Sequence, residues 1–111
     1  MKKVKNGEIP ELTKSSFDGF VKEGIVVIDF FAEWCMPCMM MSPIIEELSH
    51  KFERKIKFGK VNVGEDEQEL VQKYKVSSIP NFTIFKNGKM IEQFIGSISE
   101  DEFEEKLNGL L

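Results

Sequence analysis

Val27-Ile28-Asp29-Phe30-Phe31-Ala32-Glu33-Trp34-Cys35-Met36-Pro37-Cys38 is the stretch on which the reading of the fold turns. It lies in a run, residues 25–32, that is apolar at both odd and even positions except at Asp29. A strand with one wet face alternates; a run apolar on both sides reads as a strand covered on both faces, as at the centre of an α/β sheet. Beyond the two cysteines, Met41, Ile45, Leu48 and Phe52 recur at i, i+4, i+7 and i+11. That stripe predicts a long helix beginning near Cys35, with Pro43 inside it. A buried strand therefore hands over to a helix through Cys-x-x-Cys.

The flanks extend the pattern. Phe17, Phe20 and Val21 sit at helical spacing after Ser15-Ser16, which can cap, and Gly24 is a stop signal. Residues 56–63 read as a second strand. Residues 67–74 read as a helix with Leu70, Val71 and Tyr74 inward. Two further strands, 82–85 and 90–95, flank Lys86-Asn87-Gly88-Lys89, and Asn-Gly there predicts a tight hairpin. Ser99 with Glu102 makes a capping box for a last helix whose Phe103, Leu107 and Leu110 face inward. Alternating strands and helices predict parallel pairs, to which the hairpin adds an antiparallel edge. The expected fold is α/β, one domain over residues 1–111, with a central mixed β-sheet flanked by helices.

Composition removes several classes of function. The 111 residues are 41% hydrophobic and 31% charged, enough for a core and a solvated surface. The net charge is -4, with no Lys/Arg cluster clear of acidic neighbours, which argues against a nucleic-acid partner. Two cysteines are too few for a disulfide-stapled scaffold. The apolar run at 25–32 is far short of a membrane span. Residues 1–8 are basic at the start but carry no apolar core of a secretory signal, so a cytoplasmic location is expected.

The chemistry centres on Cys35 and Cys38. Two cysteines three apart at a helix start can close a small disulfide and reopen it. The first would meet the positive end of the helix dipole and unpaired backbone N–H groups, which lowers a thiol pKa and makes a nucleophile. Pro37 suits a first turn, where no N–H is required. The alternative of half a zinc site lacks ligands, since the lone histidine, His50, lies about three turns down the helix. Met36, Met39, Met40 and Met41 raise a second alternative, Cu(I) held by thiolate and thioether; methionines more simply fill a core or a pliable surface. Asp29 is either a structural aspartate at a strand end or, in a buried strand, a carboxyl with a raised pKa placed for proton transfer. Trp34, the lone tryptophan, reads as a wall beside the thiols.

These residues together resemble the thioredoxin family. Residues 27–38 look like its Trp-Cys-x-Pro-Cys signature, and Val76-Ser77-Ser78-Ile79-Pro80-Asn81-Phe82 looks like its cis-proline segment. Asn87-Gly88 and Gly96 fall where the family has its hairpin and a substrate-facing glycine. The similarity runs from about Leu12 to Leu107. It departs at Met36, where the family usually has glycine, and at Phe31, where many members have a second tryptophan. The resemblance implies a thioredoxin-like fold and a general protein-disulfide reductase, a cytoplasmic thiol-disulfide oxidoreductase serving electron transport and redox homeostasis. It implies Cys35 as nucleophile, Cys38 as resolving thiol, Asp29 as proton acceptor and donor, and Lys60 as the candidate partner of Asp29. It further implies a substrate groove formed by Trp34, Met36, Pro37, Ile79, Pro80, Ile95, Gly96 and Ser97, with Ile79-Pro80 cis. No cofactor or metal is required, because the two sulfurs carry both electrons. The expected partners are thioredoxin reductase and disulfide-containing client proteins, met by a monomer. A disulfide oxidase or isomerase is the rival within the same chemistry; Glu33 beside Trp34 and the absent signal favour the reductant.

Overall fold

A computed structural model describes residues 9–65 and 67–111, so residues 1–8 and the signal-peptide reading made on them lie outside the described residues. The elements in order are α1 (Lys14–Val21), β1 (Ile25–Phe31), α2 (Met36–Lys51), β2 (Ile56–Asn62), α3 (Gln68–Lys73), β3 (Asn81–Lys86), β4 (Lys89–Ile95) and α4 (Glu100–Asn108). The sheet order is β2-β1-β3-β4, which puts β1 inside the sheet with a neighbour on each side. Val26 through Phe31 are all buried, as the doubly apolar run predicts.

Strand alternation sorts the core into two layers. Val27, Phe82 and Ile84 pack with Met41, Ile45 and Leu48 of α2 and with Phe103 and Leu107 of α4. Val26, Ile28, Phe30 and Phe85 point the other way, against Phe17 and Val21 of α1 and Leu70 of α3. Both faces of β1 are thus dry because helices cover both.

Two expectations are corrected. β1 and β2 are parallel, but β3 runs antiparallel to β1, where strand–helix alternation predicts a parallel pair. The cause is the length of α3. Six residues rise only about 9 Å, less than half the length of a seven-residue strand, so α3 does not return the chain to the start of the sheet. β3 therefore begins at the end where β1 and β2 finish, with Asn81 opposite Phe30. The second correction is the cap of α1. Thr13 is the N-cap, its backbone N–H donating to Ser16 Oγ at 3.0 Å, and Ser15 and Ser16 lie within the helix.

The hairpin follows its sequence. Asn87 and Gly88 have φ of 52° and 87°, the two positive values that a type I′ turn needs. Asn87 also ties this turn to the end of α1: its Oδ1 accepts from Gly24 N–H and its own N–H donates to Gly24 O, both at 2.9 Å. At α4, Ser99 Oγ accepts from Glu102 N–H at 3.1 Å, the capping bond the pattern predicts.

Phe103 holds α4 to the sheet. It is fully buried, with edge-on contacts to Phe82 and Phe94 at ring-centroid distances of 5.1 Å each. Phe103→Ala should cost about 3–5 kcal/mol, much of the stability of a domain this size, through the cavity it leaves. Urea unfolding checks this, and a loss below about 1 kcal/mol would show that α4 can close over the gap.

Candidate active site

Ala32 O accepts from Cys35 N–H at 3.1 Å, closing the turn between β1 and α2. Cys35 then caps α2 with its own side chain: Sγ accepts from Cys38 N–H at 3.2 Å. Pro37 occupies the first turn of that helix, where its missing N–H costs nothing. The sulfurs of Cys35 and Cys38 are joined in a disulfide, with the Cα atoms 5.3 Å apart. Cys35 is 6% exposed and Cys38 1%. Phe31, Ala32, Val63 and Ile79 pack around them. A thiolate released at Cys35 would keep a backbone N–H on its sulfur and the positive end of a sixteen-residue helix beneath it.

Asp29 lies two residues beyond Val27 on the same strand face, the face that α2 covers. It is 7% exposed, and its Oδ1 has no hydrogen-bond partner. Burial pushes the carboxyl up from the usual carboxylate range to about 7, while Lys60 pulls it the other way. Lys60 is the register partner of Asp29 across the parallel pair, and its Nζ stands 5.3 Å from the centroid of the Phe31 ring. The two residues expected to work together are therefore cross-strand neighbours at the end of the sheet that carries the disulfide.

The reversal of β3 brings the remaining residues to that end. Ile79–Pro80 is cis, and Pro80 O accepts from Gly96 N–H at 2.8 Å. Ile95 pairs with Asn81 in register and is 52% exposed. Gly96 has φ +96°, a conformation that glycine adopts without strain, and open space where a Cβ would stand. Trp34, 75% exposed, walls a depression of about 250 Å³ with Val63, Val71, Val76 and Ile79. Met36 and Pro37 are exposed beside the disulfide. Ser97 lines a different depression, with Met40 and Ile44.

Two contributors escape the sequence reading. Val63, just past β2, packs against the cysteine cluster; its signal is only an apolar residue at the same end of the sheet as Asp29. Gln93 donates through Nε2 to Tyr74 O and to Thr83 Oγ1, both at 3.0 Å, and Thr83 donates to Asn81 Oδ1 at 2.8 Å. One side chain so brackets the loop that carries Ile79–Pro80, and no local pattern announces it. Of the four methionines weighed as Cu(I) ligands, Met41 is core, 2% exposed, and Met36, Met39 and Met40 face outward. Among the described residues no group of three or more His, Cys, Asp or Glu side chains is placed to hold a metal.

The pKa of Asp29 makes a stability statement. Below pH 4 the carboxyl is protonated in both folded and unfolded chains and contributes nothing. Between about 4 and 7 the unfolded chain ionises while the folded one resists, so stability falls as pH rises. Above 7 the full penalty, on the order of 4 kcal/mol, remains. Asp29→Asn should therefore stabilise the oxidised protein by several kcal/mol at pH 8 and scarcely at all at pH 4. Denaturant unfolding at the two values reads this directly; an equal gain at both would mean that the charge is not the cause.

The thioredoxin family model matches residues 8–109. Thioredoxin of Bacillus subtilis is 38% identical over 100 residues, covering 90% of this chain and 95% of the relative. Thioredoxin of Chlamydia pneumoniae is 38% identical over 92 residues, 83% of this chain and 87% of its own length. Among solved structures, a chain from work on the thiol resolving mechanism in yeast mitochondrial 1-Cys peroxiredoxin via glutathione/thioredoxin systems superposes with a TM-score of 0.83. It shares 29% identity, over 92% of this chain and 95% of that one. With its paired cysteines at the helix start, on a mixed sheet flanked by helices, the chain belongs to the thioredoxin family.

Proposed function

We propose that Cys35 is the attacking thiol and Cys38 the resolving thiol of a general protein-disulfide reductase. That the chain is a thiol-disulfide oxidoreductase acting on disulfide-containing proteins follows from its family and its cysteine pair. The division of labour rests on one observation. Cys35 caps α2 and takes a backbone N–H on its sulfur, whereas Cys38 is sealed one turn inside.

In the reduced protein the Cys35 thiolate attacks one sulfur of the partner disulfide. A Cys35–partner disulfide forms, the partner's own S–S bond breaks, and its second sulfur leaves as a thiolate. Cys38 then loses its proton to Asp29 and attacks Cys35 Sγ. The Cys35–Cys38 disulfide forms, the partner leaves with both cysteines reduced, and two electrons have moved to it. A carboxyl held near pH 7 suits both taking that proton and returning it when the disulfide is reopened. Lys60 is the positioning charge that keeps Asp29 from rising further. Trp34, Met36, Pro37, Ile79, Pro80, Ile95, Gly96 and Ser97 form the partner-facing rim. In this reading the chain works as a single domain over residues 1–111 and as a monomer. It acts in the cytoplasm, is recharged by thioredoxin reductase, and uses no cofactor of its own.

Cys35→Ser should abolish insulin reduction with dithiothreitol as the electron source. Cys38→Ser should still attack and accumulate mixed disulfides that a non-reducing gel resolves. Normal turnover by Cys38→Ser would reverse the assignment. Asp29→Asn should slow turnover by an amount that grows between pH 6 and pH 8, as the wild-type carboxylate ionises. An unchanged pH–rate profile would leave Asp29 purely structural.

A further inference from the structure

Two polar side chains are sealed inside β3. Asn81 and Thr83 are fully buried, in a strand whose other buried residues are apolar. They alternate with Phe82 and Ile84 and so share the face of Phe85, on the side of α1 and α3. Buried polar groups have to be bonded, and here the bonds have only one possible sense. Tyr74 O can only accept, so the Gln93 atom that meets it at 3.0 Å is the amide nitrogen. The same nitrogen reaches Thr83 Oγ1 at 3.0 Å and donates there too. The Thr83 hydroxyl hydrogen then goes to Asn81, whose amide must offer its oxygen, at 2.8 Å. That sense leaves Asn81 Nδ2 with no protein partner, so the relay is a costly way to fill a core.

Tyr74 and Asn81 bound the loop that carries Ile79 and Pro80. At its start the Tyr74 ring packs against Phe17 and Phe85. Lys75, next to it, has a φ of 56°, a left-handed conformation unfavourable for a residue with a Cβ. Such a conformation persists where its surroundings are held in place. At the other end Gly96 N–H holds Pro80 O at 2.8 Å. Both grips come from one segment, Gln93 within β4 and Gly96 just past it.

We propose that Gln93, acting through Thr83 and Asn81, is a positioning residue for disulfide exchange with proteins. It sets the backbone of residues 74–81 so that Ile79 and Pro80 stand ready for an extended client chain. Without it, that ordering has to be supplied each time a client binds. The effect falls on client capture and not on the sulfur chemistry, because the relay lies on the face of the sheet away from α2, which carries the cysteine pair. The proposal rests on the reductase reading that puts Ile79 and Pro80 on the partner-facing rim.

Two substrates separate capture from chemistry. Steady-state reduction of insulin with dithiothreitol gives KM and kcat for a protein client. A single turnover of the pre-reduced chain on dithiobis(nitrobenzoate), a small aromatic disulfide, reads the thiols alone. Thr83→Val keeps the volume and removes the hydroxyl; Gln93→Met keeps the length and removes the amide. Each should raise KM for insulin about fivefold, the order of one lost hydrogen bond, with kcat and the small-disulfide rate unchanged. Gln93 is half-buried on an edge strand, so Gln93→Met decides the matter alone if Thr83→Val does not fold. Thr83→Ser loses a methyl group and keeps the hydroxyl, so it should unfold at lower urea than the wild type and still show the wild-type KM. A wild-type KM in either folded relay variant makes the relay purely structural and overturns the proposal, with the reductase reading intact. A KM raised equally in Thr83→Ser also overturns it, because packing would then be the cause. Failure of the wild-type chain to reduce insulin removes the reductase reading, and the proposal with it.

Discussion

Strand β1 is covered by helices on both faces, so its one ionisable side chain, Asp29, has only the interior to occupy. Much else depends on that constraint. A strand with two dry faces must sit inside the sheet, between β2 and β3. Its end must turn abruptly into α2, because Met41, Ile45 and Leu48 have to return over Val27. The turn leaves Cys35 at the helix cap, on the last residue before regular N–H to C=O bonding begins. The carboxyl that the strand buries and the sulfur that the helix caps therefore come to the same end of the sheet by one cause.

The site joins two environments that are each unfavourable to something. The interior around Asp29 resists a charge, and its carboxyl answers by holding a proton to about pH 7. The helix N-terminus above it has spare N–H groups and favours a charge, and Cys35 Sγ accepts one of them. In the reading proposed above, a proton would pass between the cysteine pair and this carboxyl near neutral pH, the condition under which a dithiol must work. The stability lost by keeping Asp29 is the cost of that arrangement. Such a cost is borne at sites where a group's chemistry outweighs its contribution to the fold.

The surface around the disulfide has a different origin. Pro80 and Gly96 meet through one backbone hydrogen bond because β3 reverses direction after a helix too short to carry the chain back. Gln93 then fixes the segment between Tyr74 and Thr83 from β4. Ile79, Pro80, Ile95 and Gly96 therefore come from the second half of the chain, held against the cysteine pair, Trp34 and Met36 supplied by the first.

Local pattern determined most of the elements and the chemistry. The doubly apolar run placed β1, the stripe from Met41 to Phe52 placed α2, Asn87-Gly88 placed the hairpin, and Ser99 with Glu102 capped α4. Each of these is an interaction between residues close in the chain, so it is written in their order. The Cys-x-x-Cys spacing and the lone aspartate in a buried strand are local in the same sense. The direction of β3, the packing of Val63 on the sulfurs and the bonds of Gln93 were decided only by the folded chain. Tyr74 and Gln93 are nineteen residues apart, and Asp29 meets Lys60 only through strand register. Periodicity reports which face a residue turns inward; it carries no information on which distant residue it will find there.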